Sequence, residues 1–141
     1  MSDVKNLNYL FASFRKITKA YVDFLAEALK GYDLTPNEIA VLSSLETVST
    51  ASDIAKDSEV SKALVSRSVA SLKEKNYIRA TISEVDKREQ KLVLTDEGRK
   101  VAGIIDSLNE EFAHAAFTSF EDNEKRVLIA LVKLLSANVA G

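Results

Sequence analysis

The stretch 50–98 constrains the fold most, because it strings two short capped helical patterns, a tight turn and a two-strand pattern into 49 residues. Thr50-Ala51-Ser52-Asp53 sets a hydroxyl before a helical start and opens a short helix with Ile54 and Ala55 inward, ending near Ser58. After a turn through Glu59, Ser61 caps the next helix, and Val60 is placed to staple onto Val65 four positions after the cap. About four residues separate the two helices, the spacing of a helix-turn-helix, although capped helix pairs occur in many other folds. Asn76-Tyr77 turn the chain into Ile78-Arg79-Ala80-Thr81-Ile82. Lys91-Leu92-Val93-Leu94-Thr95 resumes the strand pattern after a polar, charged loop, so a β-hairpin is expected.

Placing 62–75 at about 100° per residue sorts its side chains into two faces. Val65, Val69 and Leu72 cluster on one, with Leu64 and Ser68 at its edge; Ala63, Arg67, Ala70 and Glu74 point the opposite way, flanked by Lys62, Ser66 and Ser71. A face this poor in bulk suits a major groove about 12 Å wide. It makes Ser61, Lys62, Ala63, Ser66 and Arg67 the candidate reading residues. Net charge is −2, yet residues 61–91 carry eight Lys/Arg against four acids, so the cations concentrate where a phosphate backbone would meet them. The segment 101–124 has six acids and no Lys or Arg, and reads as a solvated acidic helix.

The loop Glu84-Val85-Asp86-Lys87-Arg88-Glu89-Gln90 forms the tip of the hairpin. Asp86, two residues before Arg88, is suited to orient that guanidinium. Arg88 is suited to a narrow minor groove, with Lys87 and Lys91 as further contacts.

Outside this stretch the chain is helical. Leu7, Leu10, Phe14, Ile17, Tyr21, Phe24 and Ala28 make a heptad-like seam ended by Gly31. Thr35-Pro36-Asn37-Glu38 is a capping box with Pro at the first helical position. Ile39, Val41, Leu42 and Leu45 follow as its buried stripe, and 47–50 leaves room for a short strand. Val101, Ile104, Ile105, Leu108, Phe112, Ala115 and Ala116 form another stripe. Val127, Leu128, Leu131, Leu134 and Leu135 form a third, after a break near Glu121-Asp122 with Ser119 or Asp122 as cap. The N-terminal seam alone fits an intrachain core as well as a second subunit, and the C-terminal stripes tip the reading toward an intersubunit bundle. The expected class is mainly α with a small β-hairpin wing. Residues 1–33 and 99–141 form a helical dimerisation module around a winged helix-turn-helix module at 34–98. A symmetric dimer sets two reading helices on successive major grooves of a pseudo-palindrome.

At 141 residues, 46% hydrophobic and 28% charged, the composition fits one compact unit. No apolar run approaches the ~20 residues of a membrane span, and Met1-Ser2-Asp3-Val4-Lys5 lacks the plan of a signal peptide, so a cytoplasmic protein without a membrane partner is expected. Zero cysteines exclude thiolate metal sites and thiol switches. With one histidine, His114, beside an apolar stripe, and only four glycines, no catalytic residue, metal site or cofactor is expected.

These residues together resemble the MarR family of winged-helix transcriptional regulators. The likeness runs through Leu34-Thr35-Pro36, Val41-Leu42, Asp53-Ile54-Ala55, Val60-Ser61-Lys62, Val65-Ser66-Arg67, Leu72-Lys73-Glu74-Lys75, Asp86-Lys87-Arg88-Glu89 and Leu94-Thr95-Asp96-Glu97-Gly98. It implies a homodimer that binds double-stranded DNA through 61–75 and Arg88, and that represses genes until a small-molecule effector binds. The chain departs from the family at Asn76, where Gly is frequent, and at Glu89 and Lys91, where a second Asp and Arg are usual. Charge is kept at these wing positions, but the forked geometry of Arg is lost at Lys91. The family's ligand site has no fixed motif to carry onto this sequence. Tyr9, Phe11, Phe14, Tyr21 and Phe24 make an aromatic effector plausible, with core packing the better account of most of them. The competing reading is a winged helix that binds protein and not DNA, suggested by the overall acidity and by Glu74 on the reading face.

Overall fold

The computed structural model describes residues 3–82 and 90–140, and contacts divide the chain into two compact units, Met1–Asn109 and Glu110–Gly141. In the first, α1 (Asp3–Ala28) leads into a 3₁₀ turn at Lys30–Tyr32, followed by α2 (Pro36–Ser44), α3 (Ala51–Ser58) and α4 (Lys62–Glu74). Strands β1 (Ile78–Ile82) and β2 (Gln90–Leu94) then pair antiparallel, Ile78 opposite Leu94 and Ile82 opposite Gln90, before α5 (Asp96–Ala116) begins. The described residues are thus mainly helical with a two-strand hairpin, as the sequence implies.

Local chemistry sets the starts of these helices. Thr35 accepts from the Glu38 N–H at 3.1 Å while the Glu38 carboxylate accepts from the Thr35 N–H at 2.9 Å, a complete capping box with Pro36 in the first turn. Thr50 accepts from the Asp53 N–H at 3.2 Å, and Ser61 from the Leu64 N–H at 3.3 Å. Between α3 and α4 the turn is made by Glu59 in the left-handed region, φ 58°. Asn76, at φ 64°, makes the same kind of turn after α4, a backbone that Asn tolerates better than most residues.

The core of this unit draws on each of its α-helices and both strands: Leu25 and, just beyond α1, Leu29; Ile39, Val41 and Leu42; Ile54; Val65, Val69 and Leu72; Ile78; Leu92; and Val101 and Ile105. Each such side chain contributes about 1.5–3 kcal/mol on burial. The α1 seam divides at mid-helix. Leu7, Leu10 and Ile17 are exposed, whereas Tyr21 and Phe24 pack against the core. In the second unit, the rings of Phe117 and Phe120 meet edge to face at 5.0 Å ahead of α6 (Asp122–Ala140). On α6, Val127, Leu128, Leu131 and Leu134 are exposed and Leu135 is half-buried.

Three local expectations change. The first helix stops at Ala28, not at Gly31: the buried Leu29 still donates its N–H to the Leu25 carbonyl at 2.9 Å, but the backbone then tightens into the 3₁₀ turn, the Tyr32 N–H donating to the Leu29 carbonyl at 2.9 Å, and the left-handed residue is Asp33, φ 54°. No strand forms at 47–50; the Ser49 carbonyl instead accepts one hydrogen bond from the Leu92 N–H at 2.7 Å, tying that loop to the hairpin. The residue flanking α6 is Glu121, not Ser119 or Asp122: its carbonyl accepts from the Lys125 N–H at 3.1 Å, and its N–H donates to the Glu124 carboxylate at 2.9 Å.

Candidate nucleic-acid interface

Helix α4 lies on α2 and α3 through Val65, Ser68, Val69 and Leu72, all buried. That leaves Lys62, Ala63, Ser66, Arg67, Ala70 and Glu74 exposed on the opposite side, the division expected from the sequence. Ser61 occupies the cap, its hydroxyl committed as an acceptor to the Leu64 N–H. Leu64 is 38% exposed, so an apolar side chain accompanies the small and cationic ones near the helix start.

The hairpin continues the cationic surface. Residues alternate between its faces; Ile78 and Leu92 are buried on one, and Arg79 and Lys91 are exposed on the other, with Thr81 opposite Lys91. Sequence reasoning singled out Lys91 but left Arg79 in the charge count. The period of two, counted from Ile78, is the signal that puts Arg79 beside Lys91. Asp86, Lys87 and Arg88 lie outside the described residues.

Two other cations of 61–99, Arg99 and Lys75, serve the fold. Arg99 donates to the Leu94 carbonyl at 3.2 Å and pairs with Asp96. Lys75 is paired at 2.9 Å with Glu38, whose side chain is 3% exposed, and its ammonium also meets the Asp33 carbonyl. Burial alone would push the Glu38 carboxyl up, but the Thr35 N–H, Lys75 and Ser71 outweigh it and hold the group below its ordinary value. Lys75 is therefore not among the cations offered to a ligand.

A cavity of about 450 Å³ opens between α1, α2 and α3, lined by Tyr21, Leu25, Ile39, Ala40, Ser44 and Asp57. Its walls are chiefly apolar, with the Ser44 hydroxyl donating to Asp57 at 2.8 Å. Among the lining residues, Tyr21 has its hydroxyl pushed up by burial against the pull of its hydrogen bond to Asn109. Among the described residues no group of three His, Cys, Asp or Glu is placed to hold a metal ion, and no helix is long and apolar enough to cross a membrane.

Residues 32–89, which include α2, α3, α4 and β1 and stop short of β2, match the sequence profile of the MarR family. This chain carries a MarR-family domain. A relative named as the HTH-type transcriptional regulator BilQ, from Clostridioides difficile, is 27% identical over 127 residues, covering 89% of this chain and 84% of its own. A Listeria monocytogenes protein assigned to the MarR transcriptional regulators, solved with 26mer DNA, superposes with a TM-score of 0.87 at 17% identity over 92% of this chain and 88% of that one. Bordetella bronchiseptica BpsR, whose DNA binding is described as regulated by 6-hydroxynicotinic acid, superposes at 0.75 with 18% identity over 91% of this chain and 98% of that one. At such identities the two structures share the fold with this chain, in which α4 is the second helix of the helix-turn-helix by position.

Proposed function

We propose that this MarR-type chain is a sequence-specific, double-stranded DNA-binding transcriptional regulator that acts as a homodimer on a pseudo-palindromic operator. The observation that carries the reading is the exposed face of α4, where Ala63, Ser66 and Ala70 leave room for base edges and Lys62 and Arg67 supply charge. Arg79 and Lys91 extend that charge along the hairpin, and Arg88 at the wing tip, oriented by Asp86, enters the minor groove. The exposed leucines and valines of α6, and separately Leu7, Leu10 and Ile17 of α1, are the surfaces assigned to the second subunit. A small apolar effector held in the cavity beside Tyr21 and Leu25 shifts the dimer by binding one spacing of the two reading modules better than the other, in the manner of a ligand-responsive repressor.

The test is selection of duplexes from a random or genomic pool at moderate salt, with the complex weighed. An inverted repeat enriched at two chains per duplex supports the reading. Folded, dimeric protein that enriches nothing, with or without candidate effectors, overturns it in favour of a protein-binding winged helix.

A further inference from the structure

Glu38 is built into the reading helix more tightly than a capping role requires. A capping-box glutamate sits at a helix surface and accepts one N–H. Here the residue is 2% exposed and its two oxygens take four hydrogen bonds. Oε1 accepts from the Thr35 N–H at 2.9 Å and from Lys75 at 3.2 Å; Oε2 accepts from the Ser71 hydroxyl and from Lys75, each at 2.9 Å. Ser71 and Lys75 stand one turn apart, at the C-terminal end of α4. The carboxylate therefore grips two successive rungs of that helix from the first turn of α2.

Those rungs belong to one ridge. Ala63, Arg67, Ser71 and Lys75 follow each other at intervals of four, and each step drifts by about 40° around the axis. The drift carries the ridge from the exposed face, where Ala63 and Arg67 lie, to the α2 side, where Ser71 and Lys75 are held. The apolar contacts of Val65, Val69 and Leu72 with the core choose which face of α4 is buried but, being non-directional, do not by themselves fix its fine rotation and axial position. Hydrogen bonds to a buried carboxylate do, since sliding α4 by one residue or turning it by about 100° would break both rungs at once and strand the charge.

We propose that Glu38 is a positioning residue for sequence recognition: through Ser71 and Lys75 it fixes the rotation and axial position of α4, so that Ala63, Ser66 and Arg67 meet base edges in a single register. The inference rests on the DNA-reading function proposed above. Glu38 itself touches no nucleic acid, so the non-specific, phosphate-borne part of binding does not depend on it.

The experiment measures the affinity of the full-length protein for its selected operator and for a scrambled duplex at one salt concentration. It compares wild type, Glu38→Gln and Ser71→Ala, with urea unfolding confirming that each is folded. Glu38→Gln keeps the side chain's shape and loses its charge; the expected result is an operator preference reduced at least tenfold, scrambled-duplex affinity within twofold of wild type, and an unchanged slope of affinity against salt. Ser71→Ala removes one rung and is expected to lower the preference about threefold, which keeps the test decisive if Glu38→Gln fails to fold. Lys75→Arg, retaining a charged partner, is expected to keep most of the preference. An unchanged preference in both Glu38→Gln and Ser71→Ala overturns the inference, as does an equal loss on operator and scrambled duplex, the mark of a purely structural role. A wild-type protein with no preference for any duplex refutes the underlying function instead, and that arm is read before any variant.

Discussion

The Tyr77 carbonyl oxygen lies 1.9 Å from the place a Cβ would occupy on Gly98. The same carbonyl accepts the Thr95 N–H at 3.0 Å, so the first turn of α5 is pressed against the backbone leading into β1. Gly98→Ala must push these two segments apart, and backbone cannot yield as a flexible side chain would. It is expected to cost about 3 kcal/mol, read as a lowered midpoint in urea, with hairpin amides losing exchange protection first.

Asn76 holds the left-handed turn between α4 and β1 through its backbone, its carbonyl accepting from the Thr95 hydroxyl at 2.7 Å. Asn76→Gly is expected to leave stability within about 0.5 kcal/mol, since glycine adopts this conformation freely. Asn76→Ala is expected to cost about 1 kcal/mol, a fall of about 4 °C in a thermal melt.

Two carboxyl groups give opposite responses to acid. Glu38 is held below its ordinary value of 4.5, so its stabilisation is fully present above that value and is lost as pH falls through the folded-state value. Glu46 is pushed up, by partial burial and then by the Asp106 carboxyl, so its favourable protonated form is lost as pH rises. Glu38→Gln is expected to cost about 2 kcal/mol at pH 7 and less toward pH 3.5. Glu46→Gln is expected to raise the urea midpoint at pH 7 and to lose that advantage below pH 4. Unfolding curves stepped through this range measure both.

Salt dependence tests the assignment of phosphate contacts. Lys62→Ala and Arg79→Ala are each expected to reduce the slope of log K against log salt by about one. Arg67→Ala and Arg88→Ala are expected to weaken operator binding more than binding to a scrambled duplex. Titrations of the four variants at three salt concentrations decide it; an unchanged slope for Arg79→Ala removes the hairpin face from the interface.

Sequence revealed the three capped helix starts at Thr35, Thr50 and Ser61 because a cap is a contact between residues three apart, and nothing distant is needed to close it. The faces of α4 were legible for the same reason, since period and composition are local. What was not legible is tertiary. Glu38 looked like an ordinary capping glutamate, and its partners Ser71 and Lys75 lie 33 and 37 residues further on. The helix pattern ran through to Gly31, but the backbone switches to a 3₁₀ turn at Lys30–Tyr32 and ends the helix at Ala28. At the start of α6, hydroxyl and Asp cap propensities favoured Ser119 and Asp122, yet Glu124 reaching back to the Glu121 N–H set the boundary.

The central claim, that α4 meets duplex DNA with its exposed N-terminal face, is tested most directly by mapping amide and side-chain methyl chemical shifts of the labelled protein as the selected operator is added. The account predicts the largest changes over residues 61–70, with smaller ones at Arg79 and Lys91 and little change at the buried Val65 and Leu72 side-chain methyls. Changes confined to α1, α5 or α6, with 61–70 unmoved at saturating duplex, would contradict it.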